Sequence, residues 1–473
     1  MNRIGRDLIK ILGKDKVYYD RISLDLYSRN AIYMKGLTDA VVFPESVEDV
    51  RNVVKYAYEN DIKIYPQGSS SELVGSSIPS ENSITLNFSR MNRIIETSFL
   101  DSYTVVEPGV RIIELNEFLE ENGFFFPVDP ASYKTATVGG AVNNGSGGMM
   151  GARYGTMKDW VLGLEVVLPD KDATVLQLGS KTLKNREGYD LVRLYVGSEG
   201  TLGIVTKAVL KIAPKPRYVA VVAGFFKKFS SLMNVVTDVK RGGYDVLLME
   251  FVDENSAETT VKSLNLDIEV YGHMLIIGVV GCRESVDKIL EELANIFISH
   301  GAEKLYKARS IEEAEEKGIF DIRRGYHPAA IKLASEKRSS PRAKPLVYTE
   351  DISVPPSKLL DAVRDIRRLS EEYGVEVSIA GHASDGNIHP LIWSEEGRHD
   401  PAKINMLFED IMRIALKYKG VISSEHGIGL LKKNMLIEAM EYRDSIKTIS
   451  LMKEIKKIFD PKMILNPGKI FDI

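Results

Sequence analysis

A chain of 473 residues with 44% hydrophobic content is long enough for two or three domains of ~150 residues, each with its own core, which excludes a disordered chain. Its 62 basic and 66 acidic residues leave a formal net charge of -4, too balanced to attract a polyanion, so no nucleic-acid partner is expected. The single cysteine, Cys282, excludes an internal disulfide framework, a cysteine-rich zinc site and a protein-ligated iron–sulfur cluster, so any metal must be held by His and carboxylate ligands.

Glutamine occurs only at Gln67 and Gln177, a depletion of thermolabile side chains that fits adaptation to heat and a thermophile source. No run of ~18 apolar residues occurs and residues 1–7 have no apolar signal core, so a cytoplasmic protein is expected. Residues 1–36 read as an N-terminal helical segment whose start sets Arg3, Arg6 and Lys10 beside Ile4, Leu8, Ile9 and Ile11. The expected role of that face is packing on its own domain, with peripheral membrane contact as the alternative.

A mixed domain is expected over 37–216. Residues 40–43 read as a strand, Ser46 to Asp49 as a capping box opening a helix through about Asn60, and a second strand leads into a loop at Gln67. Strand-like runs at 84–86, 103–107 and 161–168 and a helix near 111–121 follow. A long Gly/Asn loop lies between 127 and 156, and two prolines, Pro214 and Pro216, block regular continuation at the domain's end. From 217 to 443 the elements run strand 219–226, helix 230–241, strands 246–252 and 274–281, helix 285–300 and strand 302–307, the β-α-β-β-α-β order of a ferredoxin-like unit. A similar order recurs from 346, ending in an apolar pair at 421–422, so two antiparallel sheets are expected side by side. Residues 444–473 have no strand partners and are expected to return to the first domain. The fold class is α+β.

Three glycine clusters fall inside the first domain. They are the loop with Pro66, Gly68, Ser69, Ser70, Ser71 and Gly75, the segment with Asp129, Pro130, Thr137, Gly139, Gly140, Asn144, Gly147, Tyr154 and Gly155, and the run with Glu199, Gly200, Gly203, Ile204 and Val205. Such loops let consecutive backbone N–H groups approach an oxyanion, and several in one domain point to a pyrophosphate-bearing cofactor. A Walker A loop is excluded because no Lys-Ser or Lys-Thr follows a closing glycine, and the spacing of Gly145, Gly147 and Gly151 is not the Rossmann pattern.

These clusters resemble the FAD-linked oxidases of the vanillyl-alcohol oxidase fold, with a PCMH-type FAD-binding domain. The resembled branch holds D-lactate dehydrogenases, glycolate oxidase flavin subunits and D-2-hydroxyglutarate dehydrogenases, and the likeness covers nearly the whole chain. It implies a two-subdomain FAD domain, a cap domain with a large antiparallel sheet, and cofactor contacts at the residues just named and at Asn466. Gln67 and Ser70 depart from the family's first loop, where a cation and a glycine stand. That loop holds neither His nor Cys, so non-covalent FAD is expected.

Three of the seven histidines, His382, His389 and His426, sit in two short polar segments of the second domain. Asp385-Gly386 is a turn signal between apolar runs, and a hairpin centred there sets His382 directly opposite His389, with Cβ atoms ~4.5–5.5 Å apart. Zinc or a similar divalent ion suits that pair, with Glu425 as a third ligand. The resemblance implies the same set, with His382, His389 and Glu425 as metal ligands, His426 as general base, Asn387 beside substrate or flavin, and Arg323, with Arg324 as fallback, on a substrate carboxylate. Thr349 stands where some relatives carry a lysine, which disfavours a second substrate carboxylate.

The resemblance thus implies oxidation of a D-2-hydroxy acid, with electrons passing to a quinone, a cytochrome, an electron-transfer protein or oxygen rather than NAD. A homodimer stays open. The rivals are an alkyl-dihydroxyacetonephosphate synthase-like non-redox flavoenzyme and a non-catalytic flavin relay subunit.

Overall fold

The computed structural model describes residues 3–32, 34–395 and 397–472. Two compact units emerge, the first made of Met1–Gly148, Gly155–Lys215 and Glu425–Ile473 and the second of Met149–Tyr154 and Pro216–Ser424.

In the first unit, Ser46 caps the helix Val47–Asn60 by accepting the Asp49 N–H at 3.2 Å. The reciprocal bond of the expected box goes elsewhere, because the Asp49 carboxylate accepts from the Glu45 N–H at 2.9 Å and from Lys16 at 2.7 Å. This helix sets Val50, Val53, Val54 and Ala57 against a sheet of β1 (Val17–Tyr18), β2 (Ala40–Val42), β3 (Lys63–Gln67) and β4 (Ser83–Asn87), ordered β1-β2-β4-β3 with β2 and β3 both parallel to β4. The N-terminal helix Arg3–Leu12 buries Leu8 in the same core, with Ile4, Ile9 and Leu12 packed against it, so most of its apolar side is used inside this unit. The C-terminal segment joins there too: the Ile64 N–H donates to the Ile464 carbonyl at 2.7 Å and the Asn466 N–H to the Ile64 carbonyl at 2.8 Å. The part of this unit that follows the second unit begins at Glu425, not at the expected 444, because the turn after Ser424 is already fastened to first-unit loops.

A second sheet of the first unit is antiparallel. Its strands are β5 (Ile94–Ser98), β6 (Tyr103–Val106), β8 (Val161–Val167), β9 (Val175–Gly179) and β10 (Ile204–Lys211), in the order β5-β6-β10-β8-β9. β7 (Phe124–Phe125) and β11 (Ala213–Pro214) form a two-stranded ribbon. The stretch expected to be a Gly/Asn loop contains a helix, Val138–Asn144, with the Thr137 hydroxyl accepting the Gly140 N–H at 3.2 Å. Capping by Thr137 and burial of Val138, Ala141 and Val142 outweigh the low helix propensity of the paired glycines.

The second unit is built on one antiparallel sheet of β12 (Val219–Phe226), β13 (Val246–Val252), β14 (His273–Val280), β15 (Lys304–Ala308), β16 (Pro345–Thr349), β17 (Ile352–Ser353), β18 (Ser378–His382) and β19 (Asn387–Glu395). The order is β15-β12-β14-β13-β18-β19-β16, with β17 also on β19. The first four positions form the expected ferredoxin-like half. The other half lacks its last strand: residues 421–422 contribute only a single bridge, Ser353 to Val421. The halves are joined by β13 and β18, in a register that pairs Glu250 with His382. Helix Asp321–Glu336 packs Ile322, Tyr326 and Ala330 into the core of this sheet, together with Met150 and Tyr154 from the short excursion of the chain. Among the described residues, no helix is long and apolar enough to cross a membrane.

Candidate active site

The second unit gathers its polar groups at the joint between the two halves of its sheet. Glu250, in the apolar strand β13, is fully buried, and one carboxylate oxygen meets His382 Nδ1 at 2.6 Å while the other accepts Arg323 Nε at 2.8 Å. Burial alone raises the carboxyl's proton affinity, but the charges of His382 and Arg323 outweigh it and hold Glu250 below the ordinary glutamate range. With Nδ1 engaged by the Glu250 carboxylate, Nε2 is the ring nitrogen left to face a ligand.

That nitrogen lies 3.4 Å from His389 Nε2, and the two rings stand edge to face. The expected direct opposition of the histidines is incorrect. The connection is a four-residue loop over 383–386, one register step from a two-residue turn, so His382 pairs with Asn387 and His389 with Ala380. The histidines still share a face as diagonal neighbours, within reach of long side chains. A tetrahedral ion with bonds of ~2.0–2.1 Å sets adjacent donors roughly 3.3–3.4 Å apart, so the pair suits one divalent ion. The Tyr326 hydroxyl donates to the His389 carbonyl at 2.8 Å and fixes this strand from the helix side.

Of the two arginines weighed for a carboxylate, only Arg323 belongs here, held by Glu250 and mostly buried. Arg324 points away, bonded to Glu315 at 2.7 Å and stacked on Phe320. Asn387 is buried with its Oδ1 unpartnered among the described residues.

In the first unit, the three glycine motifs converge. A Cβ on Gly68 would stand 2.2 Å from Thr137 Oγ1, and one on Gly145 would stand 3.1 Å from the Gly197 Cα, so the loops approach more closely than side chains allow. Around this convergence Asn143 Oδ1, Asn144 Oδ1, Ser198 Oγ and Asn466 Oδ1 are buried without a protein partner among the described residues. Buried polar atoms of this kind call for a ligand or water, and the cradle suits a dinucleotide. Ser70 adopts φ 54, the left-handed conformation that explains a glycine at this position in the resembled pattern. Gln67 is turned away, donating to the Tyr27 carbonyl at 3.0 Å.

Part of the first loop's N–H supply is spent inside the protein: Glu72 accepts from Val74 at 2.8 Å, Gly75 at 2.6 Å and Ser77 at 3.3 Å. Glu199 accepts from the Ile428 and Gly429 N–H groups, and burial pushes it up to about 7 despite both bonds, with Glu72 adding to the rise and Lys469 opposing it. Glu425 packs where a Cβ on Gly147 would stand 2.8 Å from its carboxylate, and its carbonyl accepts Asn144 Nδ2 at 2.7 Å. His426 follows it in the same turn. Some expected cofactor residues are engaged in packing. Ile204 is in the hydrophobic core, a Cβ on Gly203 would meet Val166 at 2.4 Å, and Tyr154 belongs to the second unit. Their motif positions reflect chain packing as much as ligand contact.

Sequence reasoning missed Glu250 and Tyr326. The available signal was a lone acid in the apolar run Leu247-Leu248-Met249-Glu250-Phe251-Val252, since a buried acid requires a partner.

Residues 38–178 match the family described as FAD binding domain, and residues 215–470 match FAD linked oxidases, C-terminal domain. The chain is 31% identical over 471 residues to the glycolate oxidase subunit GlcD of Bacillus subtilis, covering 99% of this chain and 96% of that protein. It is 33% identical over 437 residues to a D-lactate dehydrogenase of Archaeoglobus fulgidus (91% and 90% covered). To a mitochondrial D-2-hydroxyglutarate dehydrogenase of Arabidopsis thaliana it is 30% identical over 474 residues (98% and 80%). Among solved structures, p-cresol methylhydroxylase with substrate bound gives a TM-score of 0.77 at 19% identity, covering 100% of this chain and 97% of that one. An alkyldihydroxyacetonephosphate synthase gives 0.74 at 19% identity, covering 99% and 84%. At these identities the two structures speak for the fold alone.

Proposed function

Since the chain belongs to the FAD-linked oxidase family, we propose that it oxidises a D-2-hydroxy acid of the lactate or glycolate kind to the 2-oxo acid, passing electrons to an acceptor other than NAD. The observation that carries this reading is the buried Glu250 with Arg323 on one oxygen and His382 on the other, and His389 Nε2 3.4 Å from His382 Nε2. One carboxylate thereby orients both a cation for a substrate carboxylate and one of the two nitrogens for an ion.

FAD, bound non-covalently, would be held by Gly68, Ser69, Ser70 and Ser71, by Thr137, Gly140 and Asn144, and by Gly200 and Asn466; His382, His389 and Glu425 would hold a divalent ion, zinc by donor type. When bound, the flavin supplies a two-electron acceptor for the hydride on substrate C2 and the ion supplies Lewis acidity at the substrate hydroxyl. The chain's residues do the rest. Arg323 spends Nε on Glu250 and offers its terminal nitrogens to the substrate carboxylate, which fixes the C2 hydrogen. His426 accepts the hydroxyl proton. Asn387, paired across the strands with His382, offers as an acceptor a buried Oδ1 that has no partner among the described residues. Glu425 follows Ser424 directly, and Ser424 is tied by its N–H to Asp351 at 2.6 Å beside β17, which pairs with the His389-bearing β19.

The test is anaerobic addition of D- and L-lactate, glycolate and longer 2-hydroxy acids to the yellow protein, with and without a chelator. Bleaching by a D-acid, lost on chelation, is expected. Absence of bleaching with every acid overturns the reading and favours the non-redox alternative.

A further inference from the structure

The turn Glu425-His426-Gly427-Ile428-Gly429 is held at three points, one from each glycine motif. From the first motif, the Val74 carbonyl accepts the Leu430 N–H at 2.8 Å and the Leu431 N–H at 3.3 Å. From the second, Asn144 Nδ2 donates to the Glu425 carbonyl at 2.7 Å. From the third, Glu199 Oε1 accepts the Ile428 N–H at 2.7 Å and Oε2 the Gly429 N–H at 2.9 Å. The seat is itself braced, since Asn466 Nδ2 bridges the Glu199 carbonyl at 2.6 Å and the Ser76 carbonyl at 3.0 Å, and the Ile470 N–H donates to the Gly429 carbonyl at 3.0 Å.

We propose that the glycine motifs form a three-point seat for this turn, and that Glu199 is a positioning residue for His426 rather than a contact to the cofactor. Both Glu199 oxygens are committed to two consecutive N–H groups, the pattern by which a carboxyl group fixes a tight turn. His426 precedes those N–H groups by two and three residues, so its imidazole inherits the turn's orientation. The main-chain anchor at Val74 sets the turn's depth, and Asn144 sets its entry. Cofactor loops and proton acceptor then share one rigid frame, which is how an active site keeps a base within the ångström or less that catalysis tolerates.

The proposal rests on the reading of His426 as base, and its test separates the two. In the unmutated holoenzyme, peptides covering 425–431 are expected to exchange amide hydrogens as slowly as core strands, and rapid exchange there overturns the seat without any variant. Glu199→Gln, nearly isosteric, turns one acceptor into a donor facing an N–H. It is expected to raise exchange across 425–431 at least tenfold, to slow flavin reduction by substrate by roughly 10- to 100-fold, and to leave flavin content unchanged. Glu199→Asp, which keeps the carboxyl group but shortens the reach, is expected to fall between the two. Unchanged exchange in Glu199→Gln, or loss of flavin with exchange unchanged, overturns the proposal. If His426→Ala still reduces its flavin while Glu199→Gln loosens the turn, the seat stands and the base assignment falls.

Discussion

The two units hold their chemistry by opposite means. In the first, loops with little side-chain bulk are pinned by backbone N–H and carbonyl groups, and Gly68 against Thr137 shows how little space separates them. In the second, the groups project from strands, and position comes from sheet register and from one buried acid shared by Arg323 and His382. The contrast teaches that a loop site is sensitive above all to an added atom, whereas the strand site is sensitive above all to loss of a charge partner.

The largest expected effect is on chemistry. His426→Ala should lower the rate of flavin reduction by ~10²- to 10⁴-fold with flavin retained, read by anaerobic stopped-flow. Next is the strand site. Glu250→Ala leaves two buried groups without their acceptor and should destabilise the protein by about 3–5 kcal/mol in denaturant unfolding; a loss below 1 kcal/mol would mean the ion pair is not desolvated as described. Gly68→Ala, the sharpest probe of the loop side, should cost about 1–3 kcal/mol and reduce bound flavin per chain, measured by absorbance ratio.

A subtler probe uses pH. Glu199 is raised to about 7 from the ordinary 4.5, so the folded state holds this proton more tightly than the unfolded one. Its contribution to stability is therefore complete below pH ~4.5 and is lost as pH rises through 7. Relative to Glu199→Gln, the wild-type melting midpoint should fall between pH 5 and 7.5, and parallel curves would refute the shift. The smallest effect is expected at the surface: Arg324→Ala should change stability by under ~1 kcal/mol and leave KM unchanged, while Arg323→Ala raises KM steeply.

This contrast also explains what was legible in the sequence. Glycine clusters announce themselves because a run of small residues has few other uses, and the Glu-His-Gly-Ile-Gly and His-bearing segments are contiguous. The order of elements in the second unit was legible from alternating patterns, and its halves lie side by side as expected, although that β13 and β18 make the joint was not legible. Glu250 was not legible, because a single acid in a strand is informative only once its cross-strand neighbour is known. The pairing of His382 with Asn387 was missed for a related reason: loop length, not the Asp-Gly signal, sets hairpin register. The helix Val138–Asn144 was hidden by its own glycines.

The union of β13 with β18 has an evolutionary reading. Glu250 belongs to one half of the sheet and the imidazole it holds to the other, so neither half carries this buried pair alone. Recombination that replaced one module alone would separate acid from imidazole. The pair must therefore be inherited together, and drift on one side can be answered only by change on the other.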